Sequence, residues 1–190
     1  RRRSLLALGA ALPLQGRLDW AVAAPPPEKP DKVRLNYNES PYGPSGAARE
    51  AMQRGIATAG FYPYDSMYAL AGLFAQQQGI AEKQVAVFAG SMAALRYAVL
   101  AFTTESRGLV MAMPSYEVPR QAARSNKAPV KEVSLGADHA HDIPAMLAAD
   151  PQAGMLYVCN PNNPTGTITP TEAIRHALAN KPKGSVLVVD

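Results

Sequence analysis

An α/β fold, with a mainly parallel sheet covered by helices on both faces in three layers, is predicted by three observations on this chain of 190 residues. Short apolar runs recur, at Gln84 to Ala89, Gly108 to Met113, Pro129 to Leu135, Gly154 to Cys159 and Ser185 to Val189. A stretch whose apolar residues have helical spacing follows each of the first four, and Gly, Pro, Ser or Asn marks the junctions. Strands that alternate with helices in this way pair in parallel, and strands buried on both faces read as continuous apolar runs.

Composition fits a globular domain. With 47% hydrophobic and 18% charged residues, the chain is neither disordered nor fibrous. The formal charge of +4 is local, because Arg1, Arg2, Arg3 and Arg17 are opposed only by Asp19 in the first 24 residues. From Pro25 onward 15 basic side chains face 14 acidic ones, so the body has no basic footprint and nucleic-acid binding is not expected. The single cysteine, Cys159, cannot form an internal disulfide and reads as a small buried side chain at a strand end.

Taken in order, Arg1 to Ser4, the apolar run Leu5 to Leu14 and the small residues Ala21 to Ala24 have the three parts of a secretory signal over residues 1–24. The apolar run is too short to span a bilayer. Arg2-Arg3-Ser4-Leu5-Leu6 resembles the twin-arginine export signal, with Ala7 where a lysine is often found. Periplasmic or exported localisation is expected, with no membrane association once the signal is removed; the alternative is an amphipathic leader retained in the cytoplasm. Residues 25–34, opening Pro25-Pro26-Pro27, form a stiff linker.

Residues 35–60 form an N-terminal arm, in which Leu35 to Pro44 is turn-rich and Ser45 caps a helix over Gly46 to Arg54. Residues 61–190 form the body. There, Asp65 or Ser66 caps a helix reaching about Gln77, with Met67, Leu70, Leu73 and Phe74 on one face. The run Gln84 to Ala89 is a strand ending at Gly90, and a helix starts at once with Met92, Leu95, Val99 and Phe102 as its buried stripe. The free amides of that helix's first turn and its dipole make an anion site, to which Ser91 adds a hydroxyl and Gly90 a close backbone approach. Phosphate is the natural guest. The strand Gly108 to Met113 ends in Pro114-Ser115-Tyr116 ahead of a helix over Glu117 to Ser125.

After the strand Pro129 to Leu135 comes a weaker helix, Ile143 to Ala149. His139 and His141 between them lack a third and fourth ligand and read as solvent-exposed, so no metal site is expected. The strand Gly154 to Cys159 stops at Asn160-Pro161-Asn162-Asn163-Pro164-Thr165-Gly166. Each Asn-Pro step fixes an extended Asn, and Gly166 can take a backbone conformation closed to other residues. The segment therefore reads as a rigid turn that aims an amide side chain at the sheet edge, where α/β proteins hold ligands. A helix over Thr171 to Asn180 and the most apolar strand, ending at Asp190, complete the chain.

Asn163-Pro164-Thr165-Gly166 resembles the NPTG turn of the class I/II pyridoxal-phosphate aminotransferases of the aspartate aminotransferase fold. The longer string from Asn160 is most similar to the histidinol-phosphate aminotransferase branch, and further segments match in order over Leu35 to Asp190. This resemblance implies the large domain of the pyridoxal-phosphate-dependent transferase fold and pyridoxal 5'-phosphate as cofactor. It implies that the first-turn amides at Ser91 and Met92 take the phosphate, that Tyr116 stacks on the ring, that Asn163 meets the phenolic oxygen and that Asp190 meets the ring nitrogen. The family often has an acidic residue after this serine; Met92 and Ala93 stand here instead, which leaves the amide cradle intact. Tyr62, in Phe61-Tyr62-Pro63, would reach the phosphate of a second copy, which implies a homodimer. Tyr37 and Asn38, in the segment matching N-E-x-P-x-G-P, would contact substrate. A cis bond at Pro164 is expected on the same ground.

No catalytic residue is expected within the chain. In the family the lysine that forms a Schiff base with the cofactor, and the arginine that grips the substrate carboxylate, lie beyond the aspartate matched by Asp190; Lys181 and Lys183 match no family motif. The chain has no initiator methionine and stops at the end of an apolar strand, so it is expected to be an N-terminal fragment, inactive alone. The activity implied is transfer of an amino group between an amino acid, or an amino-alcohol phosphate such as histidinol phosphate, and a 2-oxo acid. The alternatives are a non-catalytic exported binding or scaffold protein on the same fold, and a sister decarboxylase or lyase.

Overall fold

The structure is a computed structural model that describes residues 38–40 and 42–190; the leader, the linker and Tyr37 lie outside the described residues. The chain divides into two units between Tyr62 and Pro63. The first contains α1 (Gly46–Ile56), which starts as its sequence predicts: Ser45 Oγ accepts from the Ala48 amide at 3.2 Å, satisfying one of the first-turn donors.

All four strands belong to the second unit. β1 (Leu109–Met113), β2 (Val130–Ser134), β3 (Met155–Val158) and β4 (Val186–Val189) form a parallel sheet of order β2-β1-β3-β4. The central pair is apolar on both faces because both faces are covered. Leu109, Met111, Met155 and Tyr157 point to α3 (Ser91–Phe102) and α4 (Val118–Ser125), while Val110, Ala112, Leu156 and Val158 point to α5 (Ile143–Ala149) and α6 (Thr171–Asn180). None of these eight strand residues is more than 1% exposed. Each large apolar side chain so buried contributes roughly 1.5–3 kcal/mol, which makes β1 and β3 the centre of stability. At the sheet edge, Glu132 of β2 receives Arg120 and Arg124 of α4 at 3.5 and 3.2 Å, and Arg120 also pairs with Glu117.

Four expectations are corrected. Gln84 to Ala89 forms no strand: a 3-10 turn at Glu82–Gln84 leads into extended backbone at Val85, but no described strand lies alongside to complete a ladder. α2 (Tyr64–Gln78) starts at Pro63 with no side-chain cap, and Asp65 sits inside its first turn, where a carboxylate meets the positive end of the helix. The buried side of α2 is Ala71 and Ala75, whereas Met67, Leu70, Leu73 and Phe74 stay 38–53% exposed. The small side chains let α2 settle closely on the 3-10 turn, and within the second unit nothing described covers the larger ones. In α3 only Leu95 and Val99 are buried; Met92 and Phe102, at its two ends, are exposed.

Gly72, inside α2, is a site for gain. A Cβ there would meet nothing closer than Glu82 Oε2 at 3.7 Å. Alanine is favoured over glycine in a helix interior by about 0.8–1 kcal/mol. Gly72→Ala is therefore expected to stabilise the protein by about 0.5–1 kcal/mol in urea unfolding, and a lowered midpoint would refute the packing described for α2.

Candidate functional site

The turns that leave β1 and β3 at the carboxyl edge of the sheet are built as one piece, and Asn162 joins them. It is 1% exposed. Its Oδ1 accepts from Ser115 Oγ at 2.8 Å, and its Nδ2 donates to the Pro114 carbonyl at 3.1 Å and to Thr165 Oγ1 at 2.8 Å. Gly166, at φ 71°, lets its amide return to the Asn162 carbonyl at 2.6 Å. Asn160 closes the base of the same loop, its Oδ1 accepting from the Thr169 amide at 2.8 Å and its Nδ2 donating to the Thr169 carbonyl at 3.3 Å. Asn163 is left exposed at the tip, with Pro164 cis as expected; the bonds before Pro114 and Pro161 are cis as well. Sequence reasoning singled out Asn163 and missed Ser115 and Asn162. The available signal was Thr165, three residues after Asn162, at the spacing of a local side-chain hydrogen bond.

His141 corrects another expectation, for it is 5% exposed. Its amide donates to Thr169 Oγ1 at 3.4 Å, and its Nδ1 lies 3.1 Å from the same oxygen. Nε2 has no partner among the described residues. Burial holds the imidazole pKa below its ordinary value. The unfolded chain then binds a proton that the folded one refuses, so this contribution to stability is complete above about pH 6.5 and is lost as pH falls toward the folded pKa. Unfolding measured across pH 7 to 5 is expected to show stability falling by at most about 1.4 kcal/mol per pH unit from this residue. A His141→Gln variant with an unchanged slope would disprove it.

Five predicted cofactor residues, Asn163 among them, come to one edge. α3 ends at Thr103, and the turn closed by the Thr104 amide on the Arg107 carbonyl at 2.9 Å reverses the chain into β1. α3 therefore runs antiparallel to β1, and its first turn lies over the edge where β1 and β3 end. Gly90 opens that turn at φ 90°, with nothing within 4 Å of where a Cβ would stand, and Ser91 is exposed beside it. Met92 is exposed in the same turn. Tyr116, just past β1, is half-buried against the core on the α3 and α4 side. Asp190 continues β4: its amide donates to the Val158 carbonyl at 3.0 Å, its carbonyl accepts from the Asn160 amide at 2.8 Å, and its Oδ2 accepts from the Tyr157 hydroxyl at 2.7 Å. Cys159 is buried here as expected. Asn38 and Tyr62 belong to the other unit, and both are exposed there.

This donor set fits a phosphorylated pyridine: an open amide cradle with a hydroxyl, a half-buried aromatic ring, an exposed amide and a carboxylate fixed through one oxygen. Among the described residues no group of three or more His, Cys, Asp or Glu is placed to hold a metal ion, and no helix is long and apolar enough to cross a membrane.

The family model for aminotransferase class I and II matches residues 30–190. The histidinol-phosphate aminotransferase of Bacillus subtilis (strain 168) is 33% identical over 159 residues, covering 83% of this chain and 44% of that protein. The aromatic amino acid aminotransferase of Rhodococcus jostii (strain RHA1) is 33% identical over 163 residues, covering 85% of this chain and 45% of that protein. Among solved structures, the histidinol-phosphate aminotransferase from Sinorhizobium meliloti in complex with pyridoxal-5'-phosphate shares the fold, with a TM-score of 0.75 at 22% identity over 80% of this chain and 42% of that one. The chain spans less than half the length of these relatives. With a family match that takes in both turns of the carboxyl edge, the chain belongs to the aminotransferase class I and II family.

Proposed function

We propose that this chain carries the cofactor-binding part of a pyridoxal-phosphate-dependent aminotransferase that moves an amino group between an amino acid, or an amino-alcohol phosphate such as histidinol phosphate, and a 2-oxo acid. One observation carries the reading: Ser91, Tyr116, Asn163 and Asp190, up to 99 residues apart, stand at one edge of one sheet in a member of this family. The chemistry supplied by bound pyridoxal phosphate is an electron sink, a protonated ring that draws off the electron pair left at the carbon beside the amino group. Asp190 keeps the proton on the ring nitrogen, since an opposed charge at hydrogen-bond distance raises the pKa of a cationic N–H by about 1–3 units. Asn163 donates to the phenolic oxygen. Tyr116 lies against the ring, an arrangement that contributes roughly 0.5–1.5 kcal/mol beyond its buried area. The amides at Ser91 and Met92 and the Ser91 hydroxyl take the phosphate.

Lys181 is committed elsewhere, its Nζ donating to the Ser185 carbonyl at 2.6 Å. By its resemblance to the family, the lysine that would bond the cofactor and move the proton is expected after the aspartate matched by Asp190, as is a carboxylate-binding arginine. Tyr62 of a second copy completes the phosphate site in a homodimer, while Tyr37 and Asn38 meet the substrate. The leader directs export by the twin-arginine route, a reading supported by the sequence of residues 1–24 alone. The test is direct. The product of the complete gene, incubated with histidinol phosphate or with single amino acids and a 2-oxo acid, is expected to retain the cofactor on purification and to transfer the amino group, whereas the chain ending at Asp190 transfers none. Absence of bound cofactor, or release of carbon dioxide in place of amino transfer, would overturn the proposal.

A further inference from the structure

Tyr157 is a buried polar residue that the roles above do not use. Its ring is 0% exposed, among Leu95, Val99, Met111 and Met155 under α3. A tyrosine so enclosed needs a partner for its hydroxyl, and the partner is Asp190 Oδ2 at 2.7 Å. The register explains the reach. Tyr157 pairs with Val188 across the parallel ladder, so Asp190, two residues on, lies diagonally from it on the same face of the sheet. Diagonal neighbours have Cα atoms some 7–8 Å apart, a gap that an aromatic side chain spans.

We propose that Tyr157 is a positioning residue for the cofactor's ring nitrogen: by donating to Oδ2, it locks the Asp190 carboxylate in one rotamer with Oδ1 presented to the ligand. This rests on the assignment of Asp190 to the ring nitrogen made above. Burial raises the phenol pKa and the hydrogen bond to Asp190 adds to the rise, which favours the protonated, donating form of Tyr157. The main chain of Asp190 is already held by two backbone hydrogen bonds, leaving only the side-chain torsions for Tyr157 to fix.

The experiment compares two ligands on the complete gene product stripped of cofactor: pyridoxal phosphate and its 1-deaza analogue, in which carbon replaces the ring nitrogen. Both keep the phosphate, the aldehyde and the flat ring, so their affinity ratio reads the contact at the nitrogen alone. The parent protein is expected to prefer pyridoxal phosphate, and Tyr157→Phe is expected to shrink that preference about fivefold to tenfold while binding the analogue as the parent does. A role in packing alone would weaken both ligands equally and leave the ratio unchanged, which would overturn the proposal. Asp190→Asn, which retains an acceptor for the Tyr157 hydroxyl, should abolish the preference and provides the reference for complete loss. A parent protein with no preference at all would instead overturn the assignment of Asp190, and the two failures are thereby distinguished.

Discussion

Replacing Gly154 by alanine is expected to destabilise the protein by about 3 kcal/mol or more, the upper end of what overpacking costs. Gly154 enters β3 where three backbone segments meet. Its amide donates to the Gly108 carbonyl at 2.9 Å, and its own carbonyl accepts from the Val186 amide at 3.0 Å. An added Cβ would stand inside the van der Waals shell of the Phe102 carbonyl oxygen, 3.1 Å from the Phe102 carbonyl carbon and 3.2 Å from the Arg107 oxygen. All of those atoms are main chain, at the end of α3 and in the turn into β1, so relief requires shifting the central strand pair. Gly136 is the contrast, because the nearest atom to its added Cβ is the Asp138 side-chain oxygen, at 2.9 Å, which can swing away. Gly136→Ala should cost less than about 1 kcal/mol by that reasoning. Urea unfolding of the two variants beside the parent decides the matter. A Gly154→Ala midpoint within error of the parent's would mean that β3 does not approach α3 as described.

The sequence was legible wherever burial alone decides. α5 and α6 occupy the residues expected, the four paired strands begin and end within a residue or two of their apolar runs, and the parallel pairing follows from the alternation of runs and helices. It was misleading where an apolar pattern needs a partner to become structure. Gln84 to Ala89 reads as a strand but has no described ladder neighbour, and Leu70, Leu73 and Phe74 read as a core stripe but remain exposed. The polar interior was hidden for another reason. Three asparagines lie within four residues, and which of them turns inward depends on Ser115, 47 residues before Asn162. His141 is buried because Thr169, 28 residues away, meets its ring. Such pairings are tertiary facts that no local pattern encodes, and they hold the site together.

Asp190 is exposed in this chain and would be covered by the proposed cofactor ring; on that proposal Asp190→Ala is expected to lower kcat/KM of the complete enzyme by about a hundredfold or more, since losing one partner of a covered, hydrogen-bonded charge pair costs roughly 2–5 kcal/mol and each 1.4 kcal/mol is tenfold. Two effects are mixed in that variant. The carboxylate proposed to keep the ring nitrogen protonated is gone, and the buried Tyr157 hydroxyl loses its acceptor, which by itself lowers stability by about 1–3 kcal/mol. Asp190→Asn separates them. An amide oxygen still accepts from Tyr157, so the fold should be nearly as stable as the parent, yet a neutral amide cannot hold a proton on a pyridine, so activity should fall almost as far. The phosphate contacts proposed at Ser91 and the ring contacts proposed at Tyr116 and Asn163 are untouched in both variants, so cofactor should remain bound at saturating concentration. If Asp190→Asn retained parental kcat/KM, the carboxylate would have no part in the chemistry; its hydrogen bond to Tyr157 would then serve only to satisfy a buried hydroxyl, and the carboxyl edge of β4 would lie outside the active site.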